Sequence, residues 1–262
     1  MNSSPNSTEN AGFLPTHLDL PFEDNIPHNF FDFVQARLLT NSVELWFKQK
    51  RATFKFLIGR DNYIYWGITT PPTLGAKAPD WFLVEHRPRL LDGIWRNSYV
   101  LWQERVIPTV IMEFISETPG GEWDTTPRTG KFWVYEQGIK APHYIIWDPW
   151  NDKLAAFRLV QGRYQKAQAN ERGHYPIESL GLEYGLWHGK WNDEVRLWLR
   201  FWDDKGELLL DPDELSAQLQ LRADQAELQA RQAVNDKVQA EQDKRKAFDK
   251  LRELGIDPDK LP

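Results

Sequence analysis

The sequence predicts an α/β (α+β) protein in which a strand-rich core carries helices and is followed by a separate long C-terminal helix. Three observations lead there. Short apolar runs rich in Val, Ile and Phe, bounded by Pro or charged residues, recur from Tyr63 to Leu210 and read as buried strands. From His28 to about Lys48 the apolar residues Phe30, Phe31, Val34, Leu38, Leu45 and Phe47 recur at spacings of three and four, which favours a helix with one buried face. Residues 213 to 254 contain no Gly or Pro and abound in Gln, Ala, Glu, Asp, Lys and Arg, as a long exposed helix should.

Composition sets the outer limits. At 262 residues, 41% hydrophobic and 13% aromatic, the chain can build one sizeable domain plus an appendage. It has no cysteine, so disulfides and thiolate zinc sites are excluded and an intracellular, cytoplasmic setting is the simplest fit. No apolar run approaches the roughly 20 residues needed to span a membrane. The net charge of -6 argues against coating nucleic acid by bulk electrostatics, although a local basic face can sit on an acidic protein.

In chain order, residues 1–18 are rich in Asn, Ser, Thr and Pro and read as a mobile tail, residues 19–210 as the core domain, and residues 211–262 as a helical extension. Glu44, on the first helix, is either an extra acid for an ion site or a solvated charge. Lys48, Lys50, Arg51, Lys55 and Arg60 follow with no acid between them and are the candidate phosphate-contacting patch, or else an ordinary solvated surface. Tyr63 to Gly67 reads as a strand, and Asp61 before it as a turn former or a weaker site candidate. The mixture of Arg87, Arg89, Arg96 and Arg105 with Trp95, Tyr99 and Trp102 suits stacking on bases or packing at a domain surface equally well.

The stretch from Pro79 to Lys131 organises the chain. Asp80 in Pro79-Asp80-Trp81-Phe82-Leu83-Val84 and Glu113 in Val110-Ile111-Met112-Glu113-Phe114-Ile115 each lie in or beside an apolar strand, where a carboxylate is costly unless paired. Two such acids and a lysine suit one task, holding a hard divalent ion, magnesium or manganese, for phosphodiester hydrolysis. Ser116 to Pro127 reads as a loop at the rim of that site, with Glu122 and Asp124 as plain loop acids or rim groups.

Pro79-Asp80, the Glu113-Phe114-Ile115-Ser116 element, Lys131 to Tyr135 and Tyr144-Ile145-Ile146-Trp147-Asp148-Pro149 together resemble the Uma-type family of restriction-endonuclease-like proteins, over roughly residues 20 to 210. The resemblance implies membership of the PD-(D/E)XK nuclease superfamily, a mixed central sheet flanked by helices, and a magnesium-dependent endonuclease acting on nucleic acid, DNA rather than RNA. It makes Asp80 the acid of the PD motif and Glu113 the acid of the third motif. Ile115 stands where a direct (D/E)XK pattern has lysine, and Lys131 on the following helix is the candidate replacement.

The rest of the core reads as strands: His143 to Trp147, Lys153 to Leu159, Gly162 to Tyr164, then Val195 to Phe201 closing as a hairpin with Glu207 to Leu210 through Asp203-Asp204-Lys205-Gly206. Asp148, ahead of Asn151-Asp152, reads as a turn former in preference to a ligand. In the extension Ala226, Ala233, Ala240, Ala247 and Leu254 recur every seven residues, with Ala230 and Leu251 beside them and Lys237 and Lys244 interrupting, a weak coiled-coil seam suited to a second copy or a helical partner over residues 213–254. Two functional classes follow: a metal-dependent nuclease using Asp80, Glu113 and Lys131, or an inactive protein of the same fold that assembles through its terminal helix.

Overall fold

A computed structural model describes residues 14–21, 30–116 and 121–255. The chain falls into two units, Met1–Leu209 and Leu210–Pro262.

In the first unit, helix α1 (Phe30–Lys50) leads to β1 (Phe56–Gly59), β2 (Ile64–Tyr65), β3 (Ala76–Lys77), β4 (Trp81–Glu85), the small hairpin β5 (Leu90–Leu91) and β6 (Ile94–Trp95), and β7 (Tyr99–Val100). One helical turn, α2 (Leu101–Glu104), precedes β8 (Val110–Phe114). Helix α3 (Lys131–Trp133) continues as a π-helical segment over Val134–Ile139. Then come β9 (His143–Asp148), β10 (Lys153–Val160), β11 (Arg163–Lys166), β12 (Tyr175–Ile177), β13 (Leu182–Trp191) and β14 (Glu194–Asp203).

Six strands make the mixed central sheet, in the order β1-β4-β8-β9-β10-β11. Every pairing in it is antiparallel except β8 with β9. A hairpin cannot join parallel neighbours, so the chain must leave the sheet, cross one face and return. The segment between Phe114 and His143 makes that crossing and carries α3 with it.

Side chains alternate across a strand, so each strand feeds two cores. Trp81, Leu83, Val110, Met112, Phe114, Ile145 and Trp147 pack on one face against Ala36, Leu39, Val43 and Phe47 of α1. Phe82, Val84, Ile111, Ile115, Tyr144 and Ile146 pack on the other against Val134, Tyr135 and Ile139 of the crossover. All five residues of β8 are buried, as a strand covered on both faces requires. Glu113 has the parity of Ile111 and Ile115, and therefore faces the crossover.

The structure revises three local readings. Residues 14–18, read as tail, belong to a turn tied to the core: the Trp102 indole donates to the Pro15 carbonyl at 2.8 Å, and His17 is buried. Residues 1–13 lie outside the described residues. Of the strand read over Tyr63 to Gly67 only Ile64–Tyr65 pairs. The partner of β14 is β13, along its whole length, whereas residues 207–210 contribute one isolated bridge, Trp202 with Leu208. Two glycines in β13, Gly185 and Gly189, hide its pattern. Nor is one face of β14 left to solvent: Arg200, which alternates with the apolar Leu199 and Phe201, is fully buried, donates to the Leu209 carbonyl at 2.8 Å and lies over the Trp187 ring.

In the second unit, α4 spans Pro212–Glu253. It opens on a capping box, in which the Asp211 carboxylate accepts from Glu214 N and the Glu214 carboxylate from Asp211 N, with Pro212 in the first turn. Gly255 at φ +78° receives the chain past the end, a conformation that suits glycine. Pairs four residues apart, such as Gln220 with Asp224 and Glu227 with Arg231, line its surface.

His143, at the start of β9, offers a test of the packing. It is buried opposite Arg158, its Nδ1 has no hydrogen-bond partner, and burial, helped by the Arg158 charge, pushes its pKa down from 6.5 to about 4. The unfolded chain therefore takes up a proton below pH 6.5 that the folded chain refuses until about pH 4. Stability is full above that window and falls through it as the pH drops, by up to about 3 kcal/mol from this group alone. His143→Leu should flatten the acid limb of a thermal-unfolding profile between pH 6.5 and 4; an unchanged limb would place the histidine in water.

Candidate metal centre

The register of β4 with β8 brings the two acids together. Trp81 pairs with Met112, so Asp80, one residue before β4, lies opposite Glu113. It shares the parity of Phe82 and hence the crossover side of the sheet. Its Oδ2 accepts a hydrogen bond from Phe114 N at 2.5 Å. Glu113 is fully buried in the central strand.

The crossover supplies the counter-groups. Lys131 and Tyr135 are four residues apart, which puts them on one side of a helix. Lys131 Nζ donates to Glu113 Oε2 at 2.9 Å, and the Tyr135 hydroxyl donates to Glu113 Oε1 at 2.5 Å. Gly130 sets the entry into that helix, since a Cβ there would lie 2.2 Å from the Asp124 carbonyl oxygen. A short 3-10 turn, Gly121–Trp123, brings Glu122 to the same lysine, with Oε1 3.3 Å from Nζ. The other oxygen of Glu122 is buried without a hydrogen-bond partner.

Burial and the like charge of Glu113 raise the Asp80 pKa well above the usual carboxylate range, with Lys131 and the Phe114 amide opposing. For Lys131, burial works to remove the charge, but Glu113 and Asp80 outweigh it and the pKa rises. The lysine is thus a fixed cation and not a proton acceptor. Tyr135, pushed upward by burial and by Glu113, stays a neutral donor. Lys77 on β3 moves the other way, lowered by burial and by the nearby Lys131 charge.

The donor chemistry suits a hard divalent ion. Asp80 and Glu113 offer only carboxylate oxygens, and the spare Glu122 oxygen is a buried acceptor in want of a partner. Among the described residues no three His, Cys, Asp or Glu side chains group closely enough to hold a metal alone. An ion held by two carboxylates keeps much of its water, which is the habit of magnesium and not of structural zinc.

The structure therefore gathers Asp80, Glu113 and Lys131, and separates the remaining candidates. Glu44 pairs with Arg89 at 2.5 Å; the acid of α1 whose charge reaches Asp80 is Asp32. Asp148 accepts from Trp150 N and Asn151 N, and Asp124 from Thr126 N, both as turn formers. Asp61 opens a turn at φ +54°. Lys50, Arg51 and Lys55 line an open recess of about 550 Å³ with Phe54 and His86, whereas Arg60 lies over the Phe33 ring and Lys48 is exposed on α1. Sequence reasoning missed Tyr135 and Lys77, and left Glu122 as either a plain loop acid or a rim group; its contact with Lys131 agrees with the second. The signal for Tyr135 was present, four residues beyond Lys131.

Two acids opposed across buried strands repel each other, so neutralising one should stabilise the protein. The folded Asp80 carboxyl keeps its proton where the unfolded one has lost it, so its effect is absent below about pH 4 and increasingly destabilising above. In a chelating buffer at pH 7.5, Asp80→Asn should raise the unfolding midpoint by a few degrees, about 2–4 °C for each ~1 kcal/mol in a domain of this size, and the gain should vanish toward pH 4. A lower midpoint at pH 7.5 would mean that the two acids do not oppose each other.

No curated protein matches the chain. A family model, Uma2, described as "Putative restriction endonuclease", matches residues 26–195. That span covers well over half of the chain and includes α1, the central sheet and every residue of the acid–lysine cluster. The chain belongs to the Uma2 family.

Proposed function

We propose that the protein is a divalent-metal-dependent endonuclease that hydrolyses phosphodiester bonds of nucleic acid, DNA in the first instance. Family membership supports a nuclease-type activity and nucleic-acid binding. The observation that carries the finer reading is the meeting of Asp80 and Glu113 across β4 and β8 with Lys131 reaching in from the crossover.

The ion, when bound, would be held by Asp80 and Glu113 and would supply Lewis acidity toward a phosphate oxygen and a more acidic water. The rest falls to the protein. Tyr135 and Lys131 each hold one oxygen of Glu113, which fixes the carboxylate plane. Lys131 keeps its charge, so it orients a nucleophilic water or stabilises charge on the reacting phosphate without accepting a proton. Glu122 holds the same ammonium from a second direction.

Lys131→Ala should lower magnesium-dependent cleavage of plasmid DNA by about 10²–10³-fold, the usual cost of a missing electrostatic donor, while circular dichroism stays unchanged. Chelation of divalent ions should abolish cleavage by the wild type. Full activity in Lys131→Ala would leave the lysine as a structural partner of Glu113 only.

A further property attaches to α4. None of its 42 residues is buried, and Leu219, Leu221, Leu228, Val234 and Val238 are exposed along it. Most helix stability in proteins comes from packing an apolar face, so such a helix lacks its usual support. We propose that α4 pairs with a second copy or another helical chain, weakly, because Lys237 and Lys244 interrupt the seam. Deletion after Pro212 should leave a folded first unit and lower the mass found by sedimentation. An unchanged association state would make α4 a solvated single helix.

A further inference from the structure

On the crossover side of the sheet, beyond Phe82 from the acid cluster, lies a second concavity of about 160 Å³ between β1 and the β5–β6 hairpin. Phe82 and Tyr99 line it as an aromatic pair, meeting edge to face at 5.9 Å. Gly59 makes room for that pair, since a Cβ there would come within 2.1 Å of the Phe82 ring. Ser98 lines it, 2% exposed, with a hydroxyl that has no hydrogen-bond partner. A hydroxyl buried unpaired is costly, and its residue is part of the lining of a space that a ligand can fill. Trp95 also lines the pocket yet is 68% exposed. The hairpin is fixed in place by Arg96, which grips the Glu104 carboxylate and donates to the Pro88 and Arg89 carbonyls. Arg89, half exposed and already paired with Glu44, also lines the pocket and adds a guanidinium with further donors.

An indole face, a hydroxyl able to donate or accept, and a guanidinium around an aromatic pair match the parts of one nucleotide: base, base edge and phosphate. Size narrows the choice, because a cavity of about 150 Å³ holds a single benzene ring. A base pair is too large, and one unpaired base fits. Phe82 follows Asp80 by two residues of extended chain, about 7 Å, so a strand with its base here would pass directly beside the acids.

We propose that this pocket takes one unpaired nucleobase of the bound strand, next to the phosphate presented to Asp80 and Glu113. This rests on the nucleic-acid reading above. The test is equilibrium binding, in chelator, of a single-stranded oligonucleotide containing one 2-aminopurine, beside a fully paired duplex and a free nucleoside monophosphate. Trp95→Ala should weaken single-strand binding about 5- to 150-fold, the loss of one base–aromatic stack, and remove the change in 2-aminopurine emission, with duplex binding unchanged. Trp95→Phe should restore most of it, and Ser98→Ala should weaken it several-fold. Equal affinity for wild type and Trp95→Ala would overturn the proposal, as would a mononucleotide binding as tightly as the oligonucleotide. If the wild type cleaves DNA with magnesium while Trp95→Ala binds normally, the pocket proposal alone fails; if the wild type binds no nucleic acid, both readings fail.

Discussion

A carboxylate buried in the middle strand of a sheet is the constraint that the first unit is built around. Glu113 has no access to solvent, and every group that makes its burial tolerable comes from a distant part of the chain. Lys131 and Tyr135 descend from the crossover, and the Phe114 amide next to it is turned to Asp80. Removing either donor leaves a buried acceptor unsatisfied, which costs more than the bond itself contributes. The cluster is thus both the most polar point of the interior and the point at which the two cores on either side of the sheet must agree in register.

The electrostatics point outward from that cluster. Three carboxylates and one tightly held lysine leave a surplus of negative charge that the protein relieves by keeping the Asp80 proton. A second cation would relieve it better. Lys77 and Asp32 extend the field to β3 and α1, so the potential at the cluster belongs to five elements, α1, β3, β4, β8 and the crossover, and not to a single motif.

The acids were legible in the sequence because polar residues inside apolar strands stand out against their neighbours. Lys131 was legible only beside the family resemblance, and Tyr135 followed from it by helical spacing. Glu122 was not legible, since a glutamate among Pro, Gly and Thr looks the same whether it meets solvent or a lysine. Lys77 depended on the pairing of β3 with β2, a two-residue contact that no periodicity announces. For the fold, α1, β4, β8, β9 and β10 followed from pattern. Strand β13 did not, because glycines and large aromatics share its positions, and neither did the burial of Arg200, which meets the Leu209 carbonyl beyond β14 and the Trp187 indole of β13.

The parallel pairing of β8 with β9 has a consequence for when the protein can act. Asp80 and the Phe114 amide are 34 positions apart in sequence, and Lys131 reaches Glu113 across 18. Asp80 meets its partners when β4 pairs with β8, but Lys131 and Tyr135 reach Glu113 only once the crossover has packed on the sheet, a further non-local event in folding. A nascent or partly folded chain therefore holds scattered acids and a lysine but no assembled centre, and any chemistry the site performs is withheld from the cell until the fold is complete.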